Sequence, residues 1–126
     1  MLERLTQFKL QVKPCKYGRG VFAGKDFKRG ELIEICPVIV VPDFARALNW
    51  MGHDGMMEQY YFDYDGGDRS CLALGYGSLY NHANNSNAHY EINRDAKEII
   101  IMALRNIKKG NQIYINYGYD PVKRFK

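Results

Sequence analysis

The sequence predicts a single, mainly β domain, and three observations support this fold class. The 126 residues are enough for one domain with its own hydrophobic core. Short runs of alternating or β-branched apolar residues recur along the chain, as they do in half-buried strands. Turn sequences such as KRG, NRDAK and KKG separate these runs, which is typical of short strands joined by tight turns.

The strands are expected, in chain order, wherever the apolar residues have the period of a strand. In FKLQVK, Phe8, Leu10 and Val12 alternate with polar residues, which indicates one buried face. Further strands are predicted in GVFAG, ELIEICPVIVV, AHYEIN, EIIIMAL and QIYINYG. One short helix is predicted after a Pro-Asp pair, which suits a helix N-terminus. Its apolar residues repeat at helical spacing: Phe44, Ala47, Leu48 and Met51.

Two segments of eight residues resemble each other: DFKRGELI at 26–33 and NIKKGNQI at 106–113. Each has an apolar residue, two cations, a glycine and then a predicted strand. The similarity is too short for a repeat architecture. It predicts that the same kind of turn leads into both strands.

Composition argues against several classes of protein. The apolar run 99–104 is the longest and is far below the roughly twenty residues that span a bilayer. The first ten residues lack the apolar core of a signal peptide, so we expect a soluble protein with no membrane partner. It would be cytoplasmic in a bacterium, or could reach a host nucleus if viral or secreted by a route not visible in the sequence. Three separated cysteines without a CxxC pair favour neither a disulfide framework nor a zinc site.

The net charge of +4 is unevenly distributed along the chain. Residues 1–30 hold eight Lys and Arg against two acids, whereas residues 51–68 hold five acids and no Lys or Arg. The basic end suits either a solvated strand face or contact with nucleic acid. The acidic, tyrosine-rich middle would attract a cationic partner.

Two polar motifs are candidates for binding. In KYGRGVF the two glycines leave the backbone open to a ligand, although a plain tight turn has the same sequence. In LYNHANNSNAHYE, Asn81, His82 and Asn87 would suit a polar small molecule held by hydrogen bonds, unless His82 is simply a satisfied core residue. His82 and His89 have no cysteine or carboxylate at ligand spacing, so we predict no metal site.

The chain also contains ten tyrosines, more than packing requires, because each buried hydroxyl needs a partner. A tyrosine-lined slot would account for them. In QIYINYGYD, strand alternation places Ile113, Ile115 and Tyr117 on one face, and Gly118 then ends the strand. A pair of edge-strand tyrosines is the alternative interpretation.

Taken in order, GRG, YNHxxxxN and YINYGYD resemble the SET-domain protein lysine methyltransferases over nearly the whole chain. The family's central NHSxxPN reads NHANNSN here, with Ala83 and Ser86 replacing the usual serine and proline. The resemblance implies one SET domain over 1–126, with a core of about 8–119 and no flanking zinc module. It also implies the β-clip fold: short curved sheets, one or two short helices and a C-terminal pseudoknot, an exception to unthreaded topology.

The resemblance further implies S-adenosylmethionine as methyl donor and a lysine in a basic protein, such as a histone-like tail, as acceptor. Tyr117 matches the catalytic tyrosine. The lysine channel is assigned to Tyr90, Tyr119, Tyr61 and Ile115. The cofactor is assigned to Tyr17, Gly18, Arg19, Gly20, Asn81, His82, Tyr117 and Phe125. In this interpretation the acidic residues Asp63, Asp65 and Asp68 steer the cationic substrate.

The adenine of the cofactor lacks an obvious cover in the sequence. We expect either Phe125 or a second subunit of a homodimer to supply it. Nucleic acid is not expected as a direct substrate. The alternative function is a catalytically weak SET-like module that binds a cationic protein or nucleic acid through the basic N-terminal end.

Overall fold

The computed structural model describes residues 9–16, 18–43, 46 and 60–118. The predicted helix with Phe44, Ala47, Leu48 and Met51 lies outside the described residues, and so does Phe8. In this part of the chain, no helix is long and apolar enough to cross a membrane.

The described residues form three small sheets, in agreement with the predicted mainly β class. Strands β1 (Leu10–Cys15) and β2 (Gly18–Ala23) form an antiparallel hairpin. The five-stranded sheet contains β3 (Leu32–Val41), β4 (Tyr61–Asp63), β5 (Ser70–Ala73), β7 (Ala88–Asn93) and β8 (Glu98–Ala103). Its strand order is β4-β5-β3-β8-β7. The third sheet pairs β6 (Asn81–His82) with β9 (Tyr114–Ile115) in parallel, and a 3-10 helix, Gly77–Leu79, precedes β6.

The core lies on the inner face of the five-stranded sheet. Along β8 the buried residues alternate, with Ile99, Ile101 and Ala103 all at most 2% exposed, as expected for a strand with one buried face. Cys36 and Cys71 are also fully buried and, like Cys15, are free thiols. Burial raises the pKa of Cys71 to about 11 and raises that of Cys36 as well. These two thiols therefore act as protonated packing groups.

The two similar segments found in the sequence pack against each other. Phe27 and Ile107 exchange two backbone hydrogen bonds, at 2.7 and 2.8 Å, and both side chains are buried. Gly30 and Gly110 occupy matching positions with φ of +83° and +92°, a conformation that favours glycine. We call residues 25–31 and 105–111 the paired turns.

Side chains repeat this reciprocity on both sides of the Phe27–Ile107 bridge. The Oδ1 atom of Asp26 accepts a hydrogen bond from the backbone N–H of Lys109 at 2.8 Å. In the matching position, Oδ1 of Asn106 accepts one from the backbone N–H of Arg29 at 2.9 Å. The short resemblance in sequence thus corresponds to two turns related by a local two-fold arrangement.

The predicted C-terminal pseudoknot rests on the β6–β9 pair, whose strands lie far apart in the sequence. Asn87 holds the segment that enters β9: its Nδ2 donates to the carbonyl of Gln112 at 2.9 Å. Its Oδ1 accepts from the backbone N–H of Tyr114 at 2.8 Å. A single carboxamide therefore forms the two hydrogen bonds that a neighbouring strand would otherwise supply to this backbone.

Candidate active site

Tyr117 is the centre of the candidate site, and two neighbours fix its position. Its backbone N–H donates to Nδ1 of His82 at 2.9 Å, and its hydroxyl donates to the carbonyl oxygen of Tyr80 at 2.5 Å. The rings of His82 and Tyr117 lie 5.1 Å apart between centroids. Strand β6 and the residue before it therefore hold both ends of the tyrosine.

The contacts of His82 define which ring nitrogen carries the proton. Because Nδ1 accepts from Tyr117, the neutral ring carries its proton on Nε2. That nitrogen lies 2.8 Å from Oδ1 of Asn84, an oxygen that can only accept. Both ring nitrogens are thus occupied within the protein, so His82 orients Tyr117 and offers a ligand its backbone rather than its ring.

Asn81 joins the GxG segment to the strand that carries Tyr117. Its Nδ2 donates to the carbonyl of Arg19 at 3.0 Å and to Oε1 of Gln112 at 2.8 Å. Gly20 lies beside these amides: a Cβ there would stand 2.3 Å from Oε1 of Gln112 and 2.9 Å from Nδ2 of Asn81. The second glycine of GxG therefore permits a close approach that a larger residue would allow only if the amides of Gln112 and Asn81 moved.

Glycine is needed at the first position of the motif because of the backbone conformation rather than a close contact. Gly18 has a φ of +99°, and no atom lies within 4 Å of the place where its Cβ would stand. It begins strand β2 opposite Cys15 and is exposed, as is Arg19. The motif thus follows the hairpin turn rather than forming it, and its backbone is open to a ligand. Tyr17, the preceding residue, lies outside the described residues.

The predicted lysine channel is only partly brought together. The rings of Tyr90 and Phe62 meet edge to face with centroids 4.9 Å apart, and both pack against the core. Tyr61 pairs with Leu72, whereas Phe62 pairs with buried Cys71. Since successive residues of a strand face opposite sides, Phe62 rather than Tyr61 shares the face of Tyr90.

Of the two other residues assigned to the channel, the structure describes Ile115 but not Tyr119. Ile115 is fully buried in the core, directly opposite His82 in the β6–β9 pair. Tyr119 lies outside the described residues, and so does Phe125, the expected cover of the cofactor. Their roles stay predictions from the resemblance.

The acidic residues predicted to steer substrate lie at 63–68, from the last residue of β4 through the turn that leads to β5, and we call this segment the acidic loop. Asp65 binds Nε of Arg69 at 2.7 Å, and this contact lowers the pKa of its carboxyl group. Asp63 accepts the backbone N–H of Gly66 at 2.8 Å. Arg69, one residue beyond the acidic run, thus offsets one of the charges.

Sequence reasoning missed a polar pair beneath the site, Glu34 and Tyr80. The hydroxyl of Tyr80 donates to Oε1 of Glu34 at 2.7 Å, while Oε2 accepts the backbone N–H of Tyr76 at 3.0 Å. Burial, and then Glu34, raise the pKa of Tyr80, so its phenol stays neutral. A carboxylate inside the apolar run ELIEICPVIVV was the signal that a buried polar partner exists.

The described residues contain no group of three or more His, Cys, Asp or Glu side chains that could hold a metal ion. The polar groups around Tyr117 are the His82 imidazole, amides, phenols and backbone. Such groups can orient an amine and accept its hydrogen bonds.

Comparisons with known proteins agree with this arrangement. The model of the SET domain family matches residues 18–118. A histone-lysine N-methyltransferase of Schizosaccharomyces pombe, described as H3 lysine-37 specific, is 31% identical over 101 residues, which cover 80% of this chain and 67% of that protein.

Solved structures show the same similarity. A Plasmodium falciparum protein described as a candidate histone methyltransferase matches with a TM-score of 0.69 and 33% identity, over 89% of this chain and 95% of that one. A structure of ctPRC2, in an autoinhibited conformation bound to S-adenosylmethionine, has a TM-score of 0.74 over 91% of this chain and 16% of that chain. At 19% identity, the second likeness shows the fold alone.

Proposed function

Because the chain belongs to the SET-domain family, we propose that it is a protein-lysine N-methyltransferase. It transfers a methyl group from S-adenosylmethionine to the ε-amine of a lysine in a basic protein. The observation that carries the proposal is the pair of hydrogen bonds that fix Tyr117. One is from its backbone N–H to the ring of His82, and the other is from its hydroxyl to the carbonyl of Tyr80. The histone-lysine methyltransferase relative supports the same reaction.

The residues present fit the proposed methyl donor. The open backbone around Gly18 suits a ligand with hydrogen-bonding groups, and Asn81 uses its Nδ2 internally, which leaves its Oδ1 to accept from an ammonium group. When bound, S-adenosylmethionine supplies a methyl group activated by its sulfonium. The lysine nitrogen would bond to the methyl carbon while the carbon–sulfur bond breaks. The electron pair of the carbon–sulfur bond would stay on sulfur.

Tyr117 acts on the lysine amine rather than as a base. Its hydroxyl donates its proton to the carbonyl of Tyr80, and a phenol that donates in this way can also accept an N–H of the amine at the same oxygen. This contact aims the nitrogen lone pair along the line of attack. The amine becomes nucleophilic when it loses a proton to water before the transfer.

The aromatic surroundings favour the neutral amine. A lysine has an ordinary pKa of about 10.4, so it is mostly charged and not nucleophilic at neutral pH. Removal from water beside Tyr90 and Phe62, which pack together, disfavours the ammonium form. The ring faces still attract the cation as it enters.

The proposed substrate is a basic protein segment such as a histone-like tail. The acidic loop supports this choice by its charge: Asp63, Asp65 and Asp68 lie within six residues that contain no Lys or Arg, and such a cluster attracts a cationic segment. With Asp65 bound to Arg69, Asp63 and Asp68 carry most of the steering.

Phe125 or the second subunit of a homodimer completes the cofactor pocket in this proposal. Light scattering and cofactor affinity, measured on the protein and on Phe125→Ala, distinguish the two covers.

The test is transfer of radiolabelled methyl from S-adenosylmethionine to a mixture of histones and other basic proteins, with Tyr117→Phe as the matched variant. Label on lysine, strongly reduced in the variant, supports the proposal. Cofactor binding without label on any substrate favours the alternative, a catalytically weak binding module. Absence of cofactor binding contradicts the proposal outright.

A further inference from the structure

The paired turns carry a concentration of positive charge that the proposed site does not use. They hold six cations and two acids: Lys25, Lys28, Arg29, Arg105, Lys108, Lys109, Asp26 and Glu31. Their net charge is therefore +4, the same as that of the whole chain. The remaining residues are neutral on balance, so the paired turns account for the basic character of the protein.

Most of these cations are available to a partner. Lys25 forms an ion pair with Glu31. Lys28, Arg29, Lys108 and Lys109 are exposed and have no carboxylate within ion-pair distance among the described residues.

The two acids do not cancel this charge through side-chain pairing with the four exposed cations. Asp26 accepts the backbone N–H of Lys109, and Glu31 accepts that of Lys28 at 3.0 Å. Both carboxylates therefore fix the turns and leave the ammonium groups in solvent.

The platform beneath the cations is held firmly. The two backbone hydrogen bonds between Phe27 and Ile107 join the turns, and both side chains are buried at 1% and 2% exposure. Asn106 adds a hydrogen bond to the backbone of Arg29. Two cation pairs, one from each turn, are thus presented by a single preorganised surface.

The positive and negative charges lie at opposite ends of strand β3. The paired turns adjoin its first residue, Leu32, which pairs with Met102. The acidic loop adjoins its last residue, Val41, which pairs with Ser70. At about 3.3 Å per residue, the ten-residue strand can separate them by at most roughly 30 Å, so the basic and acidic residues lie in separate regions of the surface.

We propose that the paired turns bind the phosphate backbone of double-stranded DNA. Duplex DNA carries about one negative charge per 1.7 Å of its axis, a density that suits several unpaired cations on one rigid surface. The choice of DNA rests on the proposed function, since a basic, histone-like substrate associates with polyanions. The paired turns would then hold the enzyme beside its substrate while the acidic loop attracts the substrate's cationic segment.

The test is fluorescence anisotropy of a labelled 20-base-pair duplex, without cofactor, between 50 and 200 mM salt. The test variant is Lys28→Gln, Lys108→Gln, Lys109→Gln. The matched control removes three cations elsewhere, by Lys13→Gln, Arg46→Gln, Lys97→Asn. Asparagine suits position 97, where φ is +56°. Thermal unfolding first confirms that both variants are folded.

We expect the test variant to bind the duplex at least tenfold more weakly and the control to stay within threefold of the unsubstituted protein. The slope of log affinity against log salt should decrease by roughly 0.9 for each phosphate contact removed. Equal weakening in both variants, or no duplex binding at 50 mM salt, would overturn the proposal. Binding to anionic phosphatidylserine vesicles but not to the duplex would also overturn it.

Methylation of a short free peptide separates this proposal from the proposed function. The test variant should methylate the peptide as the unsubstituted protein does, because none of its three positions contacts the candidate site. If peptide methylation is absent in all proteins while duplex binding follows the expected pattern, only the proposed function fails.

Discussion

The hydroxyl of Tyr117 donates a 2.5 Å hydrogen bond to the main-chain carbonyl of Tyr80. Tyr80 is 1% exposed, and its own hydroxyl is bound to Glu34. The position of the candidate catalytic hydroxyl therefore depends on a residue in β3, in the middle of the five-stranded sheet. This chain of contacts leads to the first prediction.

Glu34→Gln should slow methyl transfer by about fivefold to tenfold while the affinity for S-adenosylmethionine changes little. Both carboxylate oxygens accept hydrogen bonds, from Tyr80 and from the backbone of Tyr76. A glutamine offers one acceptor and presents an NH₂ group to the other donor, which costs about 1 kcal/mol in this half-buried site. Glu91→Gln, on a side chain that is 64% exposed, is the matched control and should leave both quantities unchanged.

Gly20→Ala should weaken cofactor binding by roughly tenfold and lower the free energy of unfolding by about 1 kcal/mol, the value of one hydrogen bond. The new methyl group displaces Oε1 of Gln112 and Nδ2 of Asn81 and so breaks the contact between them. Gly67→Ala is the control, because its Cβ would meet the nearest atom at 3.5 Å. Calorimetric titration with cofactor checks the effect, and equal affinities for the two variants would contradict it.

Asn87→Ala should destabilise the protein by about 2–4 kcal/mol, since it removes two hydrogen bonds that satisfy backbone groups. The carboxamide bonds the carbonyl of Gln112 and the N–H of Tyr114, which hold β9 in place. Asn85→Ala, which removes one exposed hydrogen bond from Arg105, should cost at most about 1 kcal/mol. Urea unfolding curves measure the free energy of unfolding of both variants. A loss below 1 kcal/mol for Asn87→Ala would show that the two hydrogen bonds of this side chain are dispensable.

Stability should fall as the pH rises from about 9 towards 11. The pKa of Cys71 rises from 9.0 to about 11 through burial, so the unfolded chain loses this proton at a lower pH than the folded protein. The stabilisation is complete below pH 9 and is lost as the pH approaches 11. Denaturant unfolding at several pH values measures the slope, which Cys71→Ala should reduce. An unchanged slope in that variant would mean that this thiol does not titrate differently in the two states.

Most periodic segments were predictable from the sequence, and their strands are confirmed. The predicted strand QIYINYG is an exception, because only Tyr114–Ile115 is a strand and Tyr117 lies beyond its end. Strand β8 alternates buried and half-buried residues over Glu98–Ala103, so its pattern is visible locally. The likeness of the paired turns was also visible in the sequence, whereas the bridge between Phe27 and Ile107 that joins them was not predicted.

Long-range choices were not predictable in the same way. Strand β6, Asn81–His82, is too short to show a period and exists because β9 pairs with it. The choice of Phe62 over Tyr61 on the face of Tyr90 depends on the register of β4 against β5. A single sequence contains adjacent aromatics there but no indication of that register.

The bond between Tyr80 and Glu34 joins residues 46 positions apart and was also missed. Only the unusual carboxylate in an apolar strand pointed to it. By contrast, Asn81, His82 and Tyr117 were found as candidates because their motifs are local and occur in a recognisable order. The contacts among them depend on the β6–β9 pair.

The central claim is that the Tyr117 hydroxyl orients the lysine amine, and a single-turnover rate of methyl transfer at saturating S-adenosylmethionine tests it most directly. Tyr117→Phe keeps the ring and the backbone bond to His82 and removes only the hydroxyl. We expect the rate to fall by about 100-fold, in the range found when one preorganised hydrogen-bonding group is lost, with cofactor affinity within threefold. A rate within threefold of the unsubstituted protein would contradict the account.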